Sequence, residues 1–126
     1  GGMGLRDVQK VTRALARAGI HEIEAHNPIH SMIADEATGD LKPELLGERV
    51  LSAIIEMQVG WEKLGGILRT LKAVSGEVDS VFCVDVFTVV GPGLEIPEEV
   101  LETIRAEGFA WRPNAKINLG LGRSWE

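Results

Sequence analysis

The chain has 126 residues, of which 44% are hydrophobic and 25% are charged. This length and composition are typical of one folded domain, and they exclude a two-domain enzyme with a cleft between lobes and a disordered or fibrous protein. Nineteen acidic residues against thirteen basic ones leave a formal net charge of −6, which opposes binding to nucleic acid and to anionic lipid.

The cysteine content and the N-terminal sequence indicate the cellular compartment in which the protein works. The single cysteine, Cys83, excludes an internal disulfide framework and a multi-cysteine metal site. We expect a cytoplasmic protein without a membrane partner, because neither a signal-peptide pattern nor a run of about 18 apolar residues is present. Gly1 and Gly2 precede Met3 and resemble a tag remnant, so the predicted domain covers residues 3–126.

The first half of the chain predicts a helix, a hairpin and a second helix. Residues 7–18 have the period of an amphipathic helix, with Asp7 as its cap and Gly19 at its end. Alternation over residues 20–35 predicts two strands, 20–26 and 29–35, joined by a turn at Asn27-Pro28. Pro43 is expected to begin a long helix of roughly eight turns, bent at a glycine. Its apolar stripe is Leu46, Val50, Ile54, Met57, Trp61, Leu64, Leu68 and Leu71.

The second half predicts strand, helix, strand. Residues 78–90 are rich in β-branched residues, and apolar and polar residues alternate along them. This pattern predicts a strand with Val84 and Val86 on its apolar face. A helix is expected to begin at Pro97 and to end at Gly108, followed by a final strand or hairpin up to residue 121. The order α-β-β-α-β-α-β predicts an α+β fold. We expect one two-layer domain, with a mostly antiparallel sheet of about four strands and helices on one face.

One candidate site surrounds the histidines, because all three of them, His21, His26 and His30, lie close together in sequence. Imidazole and carboxylate groups bind metal ions and transfer protons. The candidate catalytic residues are His26, His30, Asp35 and Glu36, and the candidate metal ligands are Glu24, His26 and His30. The spacing matches no established ligand motif, so we favour a polar edge and expect no cofactor.

A second candidate site is the polar face of the predicted sheet, which is formed by side chains at alternate positions of the strands. It carries Asp85 and Phe87 from the central strand and Lys116 and Asn118 from the last strand. A half-apolar sheet face is typically covered by a partner. The alternative is a sheet face that is exposed to solvent and carries cross-strand charge pairs, each of which contributes about 0.2–1 kcal/mol to the stability of the fold.

Two tryptophans extend this candidate surface. Trp111 lies beside a turn and Trp125 lies near the end of the sequence, with Arg112 and Arg123 close by. Tryptophan and arginine are the residue types that anchor protein partners. We therefore predict that this end of the domain contacts a protein.

The connection Gly-Pro-Gly-Leu-Glu-Ile-Pro-Glu-Glu-Val over residues 91–100 lies between a valine-rich strand and a capped helix. From about Val50 onward, this order of elements resembles an uncharacterised bacterial family, domain of unknown function 4279. The resemblance implies no established activity and no catalytic residue.

Two functions follow from these patterns. We expect a non-catalytic protein-binding module of the adaptor or immunity-protein kind, acting through the open sheet face. Its partner is a basic protein, since charge complementarity speeds encounter, or a second copy of the chain. The alternative is a small-molecule-binding protein or enzyme that uses His26 and His30 with Asp35 or Glu36.

Overall fold

The computed structural model describes residues 2–21, 23, 25, 27–87, 97–109 and 116–122. The helices are α1 (Leu5–Arg17), α2 (Pro28–Met32), α3 (Leu64–Ser75) and α4 (Glu98–Ala106). The strands are β1 (Met3–Gly4), β2 (Ile33–Asp35), β3 (Asp40–Leu41), β4 (Arg49–Val50), β5 (Val81–Phe87) and β6 (Lys116–Gly122). Single 3₁₀ turns lie at Pro43–Leu45 and Trp61–Lys63. The fold is α+β, as predicted.

All strand pairs in the described part of the chain are antiparallel, as expected, and they are β1–β4, β2–β3 and β5–β6. The strands are thus distributed over three two-stranded pairs, where the sequence predicted one sheet of about four strands. The reason is length, since four of the strands have two or three residues and only β5 and β6 have seven. Strands this short contribute few ladder hydrogen bonds and depend on packing against the helices.

Helix α1 confirms the first predicted helix and begins two residues earlier. Its N-cap is Gly4, so the prediction that Asp7 caps it is wrong. Asp7 lies in the first turn, where a carboxylate favours the positive end of the helix dipole. Its Oδ2 accepts the backbone N–H of Asp79 at 3.0 Å and its Oδ1 lies 3.1 Å from Lys10 Nζ. Asp7 therefore ties the start of α1 to the chain that enters β5.

Glycine ends α1 as predicted. Gly19 has a φ of +85°, which an L side chain rarely adopts, and its N–H donates to the Ala16 carbonyl at 3.0 Å. The N–H of Ile20 donates to the Leu15 carbonyl at 2.9 Å, which completes a Schellman motif. Gly108, with a φ of +81°, ends α4 by the same arrangement.

The predicted hairpin at Asn27-Pro28 is wrong, because helix α2 begins there. The Asn27 side chain accepts the Ile29 N–H at 2.9 Å, and Pro28 occupies the first turn. Asn as N-cap followed by Pro is a helix start signal that outweighs the short alternating pattern. In the predicted strand 20–26, the described residue Ile23 forms an antiparallel bridge with Met57.

The long helix predicted from Pro43 is wrong up to residue 60 and correct from Leu64 onward. Residues 51–60, which we call the strand-like segment, contain no helix. Burial alternates along it: the half-buried side chains are Ala53, Ile55, Met57 and Val59, and the residues between them are exposed. The adjacent β-branched pair Ile54-Ile55 disfavours a helix and favours a strand. The apolar spacing fits a period of 3.6 by coincidence, while burial follows a period of two.

Helix α3 lies at the centre of the packing and contacts α1, α4 and β6. Three clusters form the described core: α1 with α3, α3 with α4, and the start of α1 with Ile29 and Leu41. Ile55 joins the first and third clusters, and Val84 joins the first and second. Val84 and Val86 pack against the helices, which confirms the prediction that they lie on the apolar face of β5.

Candidate functional site

The two described histidines converge on Glu36. His30, on α2, places its Nε2 2.9 Å from Glu36 Oε1, and His21 Nδ1 lies 3.0 Å from the Glu36 backbone carbonyl. The Asn27 cap fixes the start of α2 and therefore the direction of His30, while β2 leads the chain directly to Glu36. The structure thus brings together His30 and Glu36, which the sequence placed among the candidate catalytic residues.

Asp35, another candidate catalytic residue, shapes the turn between β2 and β3. Its Oδ1 accepts the Ala37 N–H at 2.9 Å, and its carbonyl accepts the Gly39 N–H at 2.8 Å. These bonds shape the turn between β2 and β3, as Asp side chains commonly do in turns. In this structure Asp35 builds the turn that carries Glu36.

Helix α1 holds that turn in place through polar side chains that the sequence reasoning missed. The buried Thr12 hydroxyl donates to the Gly39 carbonyl at 2.6 Å, and the buried Gln9 Oε1 accepts the Leu41 N–H at 2.9 Å. At the surface, Arg13 Nε lies 2.5 Å from Asp40 Oδ1. The hydrogen bond from Arg13 lowers the pKa of Asp40, and a side-chain hydrogen bond with Thr38 adds to the effect.

A small hollow lies between α1, α2 and the turn. His21, His30, Glu36 and Ile33 are among its lining residues, and it has room for about one water molecule. Sites for small organic ligands usually occupy roughly 300–1,000 Å³. The described residues therefore place a histidine and a carboxylate in contact beside a narrow hollow, whose volume is far below that range.

No metal centre is formed by the described residues, because no group of three or more His, Cys, Asp or Glu side chains among them is placed to hold an ion. His30 and Glu36 supply two such groups in contact. The other two candidate ligands, Glu24 and His26, lie outside the described residues.

The predicted sheet-face residues fall at paired positions of the β5–β6 ribbon. Asp85 is directly opposite Asn118, and Phe87 is directly opposite Lys116. The neighbourhood that the sequence analysis assumed for these four residues is therefore present in the backbone register. Trp111 and Trp125 lie outside the described residues.

A surface that the sequence reasoning missed lies on the strand-like segment and the turn after it. Leu51 is 94% exposed, Ile54 is 65% exposed and Trp61 is 54% exposed. Ile54 and Trp61 were expected in the apolar stripe of a helix, and their exposure corrects that prediction. Within the described part of the chain, residues 51–60 form one isolated bridge, Ile23 with Met57, and no longer ladder.

Comparisons with known proteins add no relative. A scan against protein-family models finds no matching family, and searches of curated proteins and of solved structures find no match. The resemblance to domain of unknown function 4279 therefore stays a prediction. Among the described helices, none is long and apolar enough to cross a membrane.

Proposed function

We propose that the chain is a non-catalytic protein-binding module of the adaptor or immunity-protein kind. The observation that carries the proposal is the exposure of Leu51, Ile54 and Trp61 within one short stretch. Single exposed apolar residues are ordinary on protein surfaces, whereas a concentration of large ones is typical of interaction sites. The small size of the hollow beside His30 and Glu36 supports a binding role over a catalytic one.

The partner that we propose is a basic protein. The net charge of −6 attracts a cationic surface and accelerates encounter with it. The β5–β6 ribbon, with Asp85 opposite Asn118 and Phe87 opposite Lys116, is the second surface that we assign to this partner. Trp111 and Trp125 belong to the same proposal as aromatic anchors.

Site-specific photo-cross-linking tests the binding function. A benzophenone amino acid replaces Ile54 in one variant and Glu102, an exposed residue of α4, in the matched control. We expect one defined protein to be cross-linked at position 54 and not at position 102. The purified partner should then bind the wild-type chain, and Leu51→Glu should weaken that binding by about tenfold. If no adduct forms at position 54, or if Leu51→Glu binds like wild type, this surface is not a binding site.

A small-molecule-binding or enzymatic function is the alternative, and the contact between His30 and Glu36 beside a hollow is the observation that favours it. Elemental analysis and thermal shift with Zn²⁺ distinguish the two functions. A stoichiometric metal that disappears in His30→Ala would favour the alternative. An unchanged melting temperature with Zn²⁺ favours the binding module.

A further inference from the structure

We propose that the exposed face of helix α1 is a docking surface for an acidic helix of a partner protein. Four side chains of α1 are exposed to solvent, and all four are basic: Arg6, Lys10, Arg13 and Arg17. We call these four residues the basic stripe. They are four of the thirteen basic residues of an acidic chain, and none of them belongs to the surface that carries the proposed function. The protein therefore has a second binding surface, which takes a partner of opposite charge.

The basic stripe is straight and narrow. Its residues follow one another at intervals of four, three and four positions. Since an α-helix has about 3.6 residues per turn, the four positions lie within about 60° around the helix axis and extend along it for about 17 Å. The opposite face of α1 is fixed in the core, where Leu5 and Leu15 are fully buried. The four cations are therefore displayed in one row on a rigid support.

The two middle cations are held by contacts within the protein and keep part of their binding capacity. Lys10 Nζ lies 3.1 Å from Asp7 Oδ1 and donates to the Glu77 carbonyl at 2.8 Å. Arg13 bonds Asp40 through its Nε, and its two terminal nitrogens form no hydrogen bond with any described residue. That pair of nitrogens can hold a carboxylate in bidentate geometry. Because both side chains are already restricted, a partner carboxylate costs them little conformational entropy.

Arg6 and Arg17, at the two ends of the basic stripe, have no ion-pair partner in the part of the chain that the structure describes. Arg17 lies in the last turn of α1, where a cation favours the negative end of the helix dipole. Arg6 lies in the first turn, where the same dipole disfavours a cation. Arg6 therefore lowers the stability of α1 with no compensating contact to a described residue. Such a cost is common where a residue serves function rather than stability.

The basic stripe fits a narrow acidic ligand. Asp7 and Asp40 lie against two of its cations, so duplex nucleic acid, with one charge per about 1.7 Å, would also bring phosphates close to these carboxylates. A helix with glutamate at intervals of four, three and four residues presents a single row of carboxylates at the same spacing as the stripe, in either orientation. The net charge of −6 opposes an acidic partner at long range, but salt screens it beyond about 8 Å at physiological ionic strength. The occupant of the stripe is therefore a protein helix with one acidic row.

The probe is a capped synthetic peptide of sequence Ala-Glu-Ala-Gln-Ala-Glu-Ala-Ala-Glu-Gln-Ala-Ala-Glu-Ala, added to the nitrogen-15-labelled chain. Amide NMR shifts are followed at about 5 °C, where alanine-rich peptides begin to form helix, and at about 20 mM salt. Four exposed ion pairs, each strengthening binding by at most about fivefold, give a Kd on the order of 1 mM. We expect the shift changes to lie in residues 5–17, to be absent from α4, and to disappear at about 0.5 M salt. An isomeric peptide with glutamate at every second position should bind more weakly by about threefold or more.

Two matched variants separate docking on the basic stripe from nonspecific attraction. Arg6→Glu and Arg105→Glu each replace an exposed arginine by glutamate, the first on α1 and the second on α4. Arg6→Glu should weaken peptide binding by about fivefold or more, whereas Arg105→Glu should change it by less than about twofold. Arg6→Glu should also raise the melting temperature, because a carboxylate in the first turn favours the helix dipole. Opposite effects on binding and on stability distinguish a docking residue from a structural one.

Several outcomes would overturn this assignment of the basic stripe. Equal binding of the two peptides, or equal weakening by the two variants, would show that only net charge matters. An absence of shift changes in α1 at about 5 mM peptide would show that the stripe does not bind. Tighter binding of a single-stranded oligonucleotide with four phosphates would assign the stripe to nucleic acid. A melting temperature that Arg6→Glu lowers would give Arg6 a structural role, and none of these results depends on cross-linking at position 54.

Discussion

Replacing Gly39 by alanine tests how α1 holds the β2–β3 turn. Gly39 has a φ of +79°, and a Cβ there would contact the Thr12 carbonyl oxygen and lie 2.6 Å from the carbonyl carbon and 2.8 Å from the Arg13 nitrogen. Backbone atoms cannot move aside as a flexible side chain does, so the turn must separate from α1. The left-handed conformation costs alanine about 1–2 kcal/mol. Loss of the 2.6 Å bond from the buried Thr12 hydroxyl adds about 1–3 kcal/mol, for a total of about 2–5 kcal/mol.

Two other glycines are matched controls for this substitution. Gly19 shares the positive φ, at +85°, but no atom lies within 4 Å of its added Cβ, so Gly19→Ala should cost only the conformational part. Gly47 has neither a positive φ nor a neighbour within 4 Å, so Gly47→Ala should be neutral or slightly stabilising. Urea denaturation followed by circular dichroism gives the three free energies of unfolding. If Gly39→Ala loses no more stability than Gly19→Ala, the close approach of the turn to α1 is refuted.

Three further predictions concern the core, the surface ion pair and the histidine. Leu68→Ala should lower the free energy of unfolding by about 2–5 kcal/mol, because Leu68 is fully buried. In the same urea experiment Leu51→Ala, at an exposed position, should change the free energy of unfolding by no more than about 0.5 kcal/mol. Arg13 lowers the pKa of Asp40 below its ordinary 3.8, so the ionised carboxylate stabilises the fold above that value, and this contribution is lost as pH falls through the lowered pKa. Asp40→Asn should therefore lower the melting temperature at pH 7, and this loss should become smaller as the pH falls below 3.8; a loss that does not change with pH would contradict this reasoning. His30→Ala should cost less than about 1 kcal/mol, because its contact with Glu36 is partly exposed, and a larger shift in the urea midpoint would indicate a buried role.

The sequence predicted those elements whose signals are local. Gly19 and Gly108 end α1 and α4 because a positive φ is needed one residue beyond the last turn, and such a requirement is visible in a few neighbouring residues. The alternation of β5 predicted that Val84 and Val86 pack inward, since side chains of a strand alternate between its faces. The clustering of histidines likewise predicted that His30 is near a carboxylate.

The strand-like segment shows why the rest was missed. Residues 50, 54, 57 and 61 are apolar at helical spacing, while residues 53, 55, 57 and 59 are apolar at strand spacing, so this stretch fits both periods. The choice between them is made by contacts with α1 and α3, which are distant in sequence. The same limit applies to Gln9 and Thr12, whose partners lie 32 and 27 residues away. No local pattern marks a polar residue in a helix as the anchor of a remote turn.

The exposed apolar side chains of the strand-like segment have a consequence for the behaviour of the protein in acid. At its isoelectric point, near pH 5.1, the chain loses the net charge that keeps its copies apart. The exposed side chains of Leu51 and Ile54 can then contact another copy of the chain with no long-range repulsion to oppose association. We therefore expect solubility to be lowest near this pH, and we expect Ile54→Lys, which replaces an exposed apolar side chain by a charged one, to raise it.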